Sequence, residues 1–356
     1  MSTELLTTAS LASEPFSPHP WLRHGHVQTL LSRIKPRQAT PLFDQPLLVD
    51  GGPDYCDLAA LEAGPRNVQL LAYFTPHSAA RAIRTDDIRA RAHDNTASVQ
   101  TPLPPRRGLV LLLHGWEGCS HSNYNLALTG TLTAAGFDVI RLNLRDHGPG
   151  YDLDPYALNP GIFLGVLIDE AAHAIRQIAA LAGSAPFYIV GASMGGNFAL
   201  RLAAHHAKAP FHNLRKVVAV NPAVNPGRAT DLVDAYPFYR RYFRRRWFDS
   251  LLAKQRLFPQ LYDFTHLHAV GSIRAMTEWL IRHYGHRFVG FPAVTEPLPP
   301  FQCADEYFSA YAVHPHTLAH LTVATEIISS LDDPIIDVDD ICNLPPHPLL
   351  TVQLHP

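Results

Sequence analysis

The sequence has few cysteines and almost no excess of charge of either sign. Its four cysteines, Cys56, Cys119, Cys303 and Cys342, are widely spaced and form no C-x-x-C pair. This spacing argues against a disulfide framework and predicts reduced thiols. Lys and Arg number 29 against 31 Asp and Glu, which gives a formal net charge of -2. The balance predicts neither a nucleic-acid partner nor attachment to an anionic membrane surface.

Long hydrophobic runs are also lacking. No apolar run approaches the roughly 20 residues that a membrane-spanning helix needs. The N-terminal stretch contains Glu4 and Glu14 and has neither a basic region nor a sustained apolar segment, so it does not resemble a secretory signal. The sequence therefore predicts a cytoplasmic protein without a stable membrane span.

What the sequence does contain is material for a large core, since 47% of its 356 residues are hydrophobic. Short apolar runs alternate with helical patterns, which predicts an α/β fold with a doubly wound, mostly parallel sheet. Strands are predicted at 109–113, 137–142, 187–190, 216–220, 321–328 and 349–354, and helices at 124–135, 162–182 and from 194 to about 207. Two further short strands, joined by a turn at 50–54, are predicted within 45–74.

Three segments depart from this alternation. Residues 1–45 are rich in proline and are predicted to form an N-terminal arm, and the main domain is predicted to cover 46–356. Residues 84–107 are charged and then proline-rich, which indicates a solvated loop. Residues 221–300 interleave aromatic residues with arginines and predict a helical, cap-like insertion over the C-terminal edge of the strands. A nucleic-acid surface is the alternative for these arginines, and the near-neutral overall charge argues against it.

The pattern that organises the prediction lies at 187–200. A buried strand leads into Gly191-Ala192-Ser193-Met194-Gly195, and an amphipathic helix follows. This is the G-x-S-x-G pattern of a nucleophile elbow, in which a serine sits on a tight strand-to-helix turn that only small neighbours permit. An ordinary tight turn is the alternative, because small residues cluster in many turns. The flanking strand and helix favour a nucleophile at Ser193.

A second motif, His114-Gly115-Trp116-Glu117-Gly118, directly follows the predicted strand at 109–113. A serine hydrolase places one donor of its oxyanion hole at this position and the other just after the nucleophile. The predicted donors are therefore the backbone N–H groups of Trp116 and Met194. Each such donor stabilises a transition state by roughly 2.7–4 kcal/mol. A plain strand-to-loop turn is the alternative.

Four motifs together resemble the YheT-like branch of the α/β-hydrolase superfamily. They are the segments 114–118, 143–148 (N-L-R-D-H-G), 191–197 (G-A-S-M-G-G-N) and 332–334 (D-D-P). An early His26-Val27-Gln28-Thr29-Leu30 also resembles the H-x-Q-T-L signature of those proteins. The resemblance implies an α/β-hydrolase fold and a cytosolic serine esterase. It also implies a small-molecule substrate, a short-chain or lipid-like carboxylic ester, and no cofactor.

The resemblance also implies an acid and a base for Ser193. The acid would be Asp333, with Asp332 as the alternative, although turn formation and capping explain both aspartates without catalysis. Relatives carry the base in a G-G-H stretch shortly beyond the last strand, and this sequence has no G-G-H. His355 is then the candidate base, in the chain order Ser, Asp, His. The alternative is a catalytically impaired or truncated scaffold that acts as a non-enzymatic binding protein.

The histidine pairs at 266/268 and 314/316 have a spacing that is also found among metal ligands. No cysteine or carboxylate partner recurs with them at ligand spacing, so the sequence predicts no metal site.

Overall fold

The computed structural model describes residues 19–31, 44–54, 66–78, 107–151, 153–285 and 301–356. The strands are β1 Gln45–Pro53, β2 Asn67–Thr75, β3 Leu109–Leu113, β4 Asp138–Leu142, β5 Phe187–Ala192, β6 Leu214–Val220, β7 Ala324–Ser330 and β8 Leu350–His355. The helices are α1 Gly25–Leu31, α2 Asn123–Ala134, α3 Ile168–Leu181, α4 Met194–Lys208, α5 Pro226–Ala235, α6 Pro237–Leu257, α7 Ile273–Tyr284, α8 Ala304–Tyr311 and α9 Val338–Cys342. Short 3-10 helices cover Pro20–Leu22, Thr265–Ala269 and Pro315–Leu318.

The strands form one sheet in the order β1-β2-β4-β3-β5-β6-β7-β8. Strand β2 runs antiparallel to both β1 and β4, and the remaining neighbours are parallel. This confirms the predicted doubly wound, mostly parallel sheet. From β3 the chain passes to β4 on one side and then to β5 on the other. Ligands of such sheets bind where the strand order reverses in this way, at the carboxyl ends of the strands.

Both faces of the sheet are covered by helices, which explains the continuous apolar strands. Side chains alternate between the faces along a strand. Leu111 therefore packs in one core cluster with Ile175 of α3 and Phe198 of α4. Its neighbour Val110 packs on the other face against Leu128 of α2. Because both faces of the strand are buried, its sequence is continuously apolar and does not alternate between apolar and polar residues.

The largest departure from the predicted elements is at the start of the sheet. The turn predicted at 50–54 is wrong, because β1 runs on to Pro53. The register with β2 shifts between Asp50 and Pro53, so Gly51 and Gly52 form an irregularity within the strand, with Gly52 at a φ of +79°. Bulges of this kind place turn-type residues inside a paired strand.

Other boundaries differ by several residues. The helix predicted from 162 begins at Ile168, and the strand predicted from 321 begins at Ala324. The predicted N-terminal arm contains, in its described part, a 3-10 turn and the seven-residue helix α1. The predicted loop at 84–107 lies outside the described residues except for Arg107, and Cys56 also lies outside them.

Helices α5, α6 and α7 fall within the predicted insertion and lie between β6 and β7, and residues 286–300 lie outside the described ranges. Phe264, Met276 and Leu280 of the insertion belong to a second core cluster, which they share with Ile162 and Phe308 from outside it. Across the described ranges, no helix combines the length and the apolar character that crossing a membrane requires.

Candidate active site

Ser193 is the single residue between the end of strand β5 and the start of helix α4. Its backbone has a φ of 54° and a ψ of -115°. This conformation is energetically unfavourable for residues other than glycine. The contacts around it hold this conformation. The Ser193 N–H donates to the Val220 carbonyl at 2.8 Å, and the Ser193 carbonyl accepts from Asn197 N at 3.0 Å.

Two glycines permit this turn to pack tightly. A Cβ atom on Gly191 would overlap the main-chain oxygen of Gly195, and a Cβ on Gly195 would overlap that of Leu113 at the end of β3. Side chains at either position would therefore push the turn away from the sheet. The small residues of the G-x-S-x-G pattern are required by contacts with the main chain.

The segment that follows β3, residues 114–118, is called here the β3 turn. It lies directly beside the serine, since a Cβ on Gly115 would be 3.2 Å from the Ser193 Cβ. His114 braces it, because its Nε2 accepts from Leu144 N at 3.1 Å and its Nδ1 therefore donates to the Gly115 oxygen at 2.8 Å. Burial lowers the pKa of His114 to about 4, so the ring stays neutral near pH 7.

A cavity of about 690 Å³ opens over Ser193, Met194 and Trp116. It lies at the carboxyl ends of β3 and β5, where the strand order reverses. Its apolar wall comes largely from the insertion and α8, and includes Phe163, Val233, Phe243, Trp247, Ile273, Phe308 and Ile335. A small molecule with an apolar arm fits this lining.

Glu117 brings a buried carboxyl group to the same cavity. The residue is 8% exposed, and its Oε2 accepts from the Ser250 hydroxyl at 2.8 Å. Burial raises the pKa of Glu117 to about 7, and the Ser250 hydrogen bond and the nearby Arg246 oppose that increase. Asp146 and Asp249 act with burial, because like charges disfavour ionisation.

The pKa of Glu117 predicts how a Glu117→Gln substitution changes stability with pH. The folded-state pKa of about 7 lies above the ordinary glutamate value of 4.5 that applies to the unfolded chain. The native state therefore binds more protons than the unfolded state between these pH values, and stability falls as the pH rises through them. We expect equal stability of the variant and wild type near pH 4.5, and an advantage of about 3 kcal/mol for the variant at pH 8. Urea unfolding at both pH values measures it.

The exposed Glu306 provides the matched control for that experiment. Glu306→Gln should shift the stability by less than about 0.5 kcal/mol at either pH. A Glu117→Gln variant that is no more stable than wild type at pH 8 would show that Glu117 ionises as freely in the folded chain as in the unfolded one.

Asp333 lies in the turn after β7, close to the end of β6. Its Oδ1 accepts from the main-chain N–H groups of Ile335 and Ile336 at 2.8 and 2.9 Å, and its Oδ2 accepts from Asn221 Nδ2. Asp332 points elsewhere, since its carboxylate and carbonyl lie against Gly25 of α1, where no side chain would fit. Helix α1 is therefore packed on the turn that carries both aspartates.

His355 is the last residue of β8 and pairs in register with Ser330 of β7. Its main-chain oxygen accepts from Leu331 N at 2.8 Å. The side chain thus projects from the sheet at the end of a strand next to β7, and the Asp333 turn begins just beyond β7.

A known protein family matches the part of the chain that contains the β3 turn and Ser193. The sequence profile described as the alpha/beta hydrolase fold matches residues 108–286, which is half of the chain and includes the β3 turn and Ser193. The chain belongs to the α/β-hydrolase fold family. The fold predicted from the sequence is thereby confirmed at the level of the superfamily.

Several solved structures are similar to the chain at low sequence identity. An esterase from Pyrococcus furiosus is 11% identical, with a TM-score of 0.46 over 90% of this chain and 87% of that one. A soluble variant of monoglyceride lipase from Saccharomyces cerevisiae is 14% identical, with a TM-score of 0.46 over 91% and 88%. A monoacylglycerol lipase from Paleococcus ferrophilus is 19% identical, with a TM-score of 0.41 over 70% and 84%. A search of the curated proteins finds no match.

Two side chains at the site of this α/β-hydrolase, Asn221 and Glu117, have no individual signal in the sequence that predicts their contacts. Asn221 follows β6 directly, and because β6 neighbours β7 its amide meets Asp333. The strand order would have placed it there, since the carboxyl ends of parallel strands share one edge. Glu117 was part of a predicted motif, but its contact with Ser250 spans 133 residues and no local pattern indicates it.

Two arginines of α6 in this α/β-hydrolase, Arg240 and Arg244, donate hydrogen bonds to main-chain oxygens of the insertion. Arg244 donates to the main-chain oxygens of His268 and Val270, and Arg240 donates to that of Asp234. These contacts give the arginines a role in packing the insertion.

The histidine pairs have contacts of their own. His266 stacks on Trp279, and His314 lies parallel to His316 with ring centroids 5.3 Å apart. In the part of the chain that the structure describes, no three residues of metal-ligand type come together.

Proposed function

We propose that the chain is a serine hydrolase that cleaves carboxylic esters through an acyl-enzyme at Ser193. The observation that carries the proposal is the position of this serine. It has a positive φ in the tight turn between β5 and α4, and it lines one cavity with Met194 and Trp116. A hydroxyl held there would be presented to a bound ester, and we assign the backbone amides of Met194 and Trp116 as its oxyanion donors.

The chemistry follows from this arrangement. The Ser193 Oγ attacks the ester carbonyl carbon and gives its proton to a base, and the carbonyl oxygen becomes an oxyanion held by the Met194 and Trp116 amides. The tetrahedral intermediate then collapses, the C–O bond to the alcohol breaks, and the base returns its proton to the leaving oxygen. Water repeats the sequence on the acyl-enzyme and releases the acid.

Asp333 is proposed as the acid and His355 as the base. Asp333 is supported by its place after β7 and by its contact with Asn221, whereas Asp332 faces Gly25. His355 is supported by chain order and by its strand, which neighbours β7. The acid would orient and stabilise the charged histidine during the reaction. Loss of ester turnover in His355→Ala, with unchanged thermal melting, would support this assignment.

The cavity lining supports an ester with an apolar acyl chain, either short or lipid-like. Aromatic and branched side chains of the insertion form part of its wall, and apolar surface is what binds an acyl chain. The proposed chemistry uses protein groups alone and needs no cofactor. The cytoplasmic location stays a prediction.

A fluorophosphonate probe tests the proposal directly, since it forms a covalent bond with an activated serine. We expect labelling of wild type and none of Ser193→Ala. Ser184→Ala is the matched control, because this exposed serine precedes the same strand at its opposite end. Equal labelling of the Ser193→Ala variant would contradict the proposal.

A second candidate is a catalytically impaired scaffold that binds small molecules. It is favoured by the place of His355 within the β7–β8 ladder, where its main chain pairs with that of β7. This candidate predicts no probe labelling and no ester turnover by the wild type. It still predicts binding of an uncleaved ester analogue in the cavity, which calorimetry measures.

A further inference from the structure

Helix α6 contacts the β3 turn along one of its faces. Phe243, Trp247 and Ser250 recur at spacings of three and four residues, so they project from the same side of the helix. The ring of Phe243 stacks on that of Trp116 with centroids 5.5 Å apart, and Trp247 meets the Trp116 ring edge-on at 5.4 Å. The side chain of the proposed oxyanion residue is thus held between two aromatic residues of α6.

The next residue of the turn, Glu117, makes polar contacts with the same helix. The Ser250 hydroxyl donates to its Oε2 at 2.8 Å, and the Arg246 guanidinium donates to its main-chain oxygen at 2.7 Å. The Tyr156 hydroxyl in turn donates to the Ser250 oxygen at 2.9 Å. With one hydrogen bond received and one given, the Ser250 hydroxyl has a fixed direction.

The backbone of Glu117 needs such support. Its φ is 55°, which lies in the left-handed region. This conformation is energetically unfavourable for any residue other than glycine. A residue keeps this conformation only when its surroundings determine it, and here the surroundings are α6. The main-chain amide of Trp116 directly precedes this strained residue, so its direction depends on the same contacts.

We propose that Glu117 is a positioning residue that anchors the β3 turn to helix α6 and so fixes the Trp116 amide for the oxyanion. This rests on the proposed function, because it concerns the rate of the same reaction. The carboxyl group acts through the neighbouring amide and not on the ester itself. A displacement of about 1 Å at a catalytic group can cost roughly 100-fold in rate.

The kinetic test compares Glu117→Ala, Glu117→Gln and Ser250→Ala with p-nitrophenyl butyrate. We expect Glu117→Ala to lower kcat about 100-fold with KM within about threefold of wild type, because the apolar wall still binds the ester. Ser250→Ala should lower kcat about tenfold. Glu117→Gln keeps an acceptor for Ser250 and should stay within about threefold of wild type. A residue that served only to keep the chain folded would not separate kcat from KM in this way.

Two conditions sharpen the comparison. Measurement at pH 6 lies below the pKa of about 7 that burial gives Glu117, so the Gln variant differs little from wild type in charge. The control is Arg245→Ala, whose side chain lies on the outer face of α6 and is 80% exposed, and which should keep wild-type kcat.

Hydrogen exchange tests the anchoring independently of catalysis. In Glu117→Ala and Ser250→Ala, the amides of residues 115–118 should exchange at least about fivefold faster, while those of β4 keep their rate. If Glu117→Ala does not fold, Ser250→Ala decides alone. Unchanged exchange, or kcat within about twofold of wild type in both variants, would overturn the proposal. Turnover that survives Ser193→Ala would instead defeat the proposed function, and exchange would then decide the anchoring by itself.

Discussion

Replacing Ser193 by alanine is expected to lower kcat for ester hydrolysis by about 10⁶-fold. In subtilisin, loss of the nucleophile alone removes about 2 × 10⁶ in kcat. Ser193 is bound into the turn by its main chain, through hydrogen bonds with Val220 and Asn197, so removing Oγ should leave the fold intact. Turnover of p-nitrophenyl acetate by purified protein measures the effect.

The residual rate carries information of its own. In subtilisin, binding and the oxyanion hole still give about 10³–10⁴ over the uncatalysed reaction without the catalytic groups. A similar residual rate in Ser193→Ala would support a role for the Met194 and Trp116 amides. Thermal melting serves as the control, and Ser184→Ala should keep full turnover. A fall of less than tenfold in Ser193→Ala would show that another residue carries the reaction.

Replacing Lys254 by alanine is expected to destabilise the protein by about 3–5 kcal/mol, the cost of breaking a buried ion pair by removing one partner. The Lys254 side chain is 1% exposed, and its Nζ donates to Asp146 Oδ1 at 2.7 Å and to the main-chain oxygens of Tyr156 and Asn159. Burial raises the pKa of Asp146 and Lys254 opposes that increase, so without the ammonium group the carboxylate would be buried and unpaired. Urea unfolding gives the change in stability.

Two further variants make that experiment specific. Arg256→Ala removes an exposed cation from the last turn of the same helix and should cost less than about 0.5 kcal/mol. The double variant Lys254→Met with Asp146→Asn removes both charges and should be more stable than Lys254→Ala, because no charge is then left unpaired. A loss below about 1 kcal/mol in Lys254→Ala would mean that water replaces the ammonium group.

The sheet could be predicted because strands buried on both faces appear in the sequence as short, continuous apolar runs. Strand β3 has the predicted bounds 109–113, because a short run of consecutive apolar residues is typical of a strand covered on both faces. The two helices before β4 and β5 end at Ala134 and Leu181, one residue before the predicted ends at 135 and 182. Gly136 and Gly183 follow with positive φ, as glycines after a helix C-terminus commonly do. These features depend on residues close in sequence.

The features that could not be predicted depend on partners far away in sequence. Asp50-Gly51-Gly52-Pro53 has the composition of a turn, yet its pairing with β2 draws it into a strand. Lys254 resembles any solvated lysine of a charged helix, and only contact with Asp146, 108 residues away, shows that it is buried. Motif spacing indicated which segments form the candidate site, but the contacts between them follow from the folded chain.

Helix α6 lines the cavity with Phe243 and Trp247 and holds the β3 turn with Ser250. Under the proposed function, this one helix would therefore influence both which ester binds and how fast it is cleaved. Grafting another enzyme's helix over residues 237–257 to accept a bulkier acyl group would also remove the support of the turn beside Ser193. A functional chimera would therefore need residues 116–117 and residues 237–257 to be replaced together.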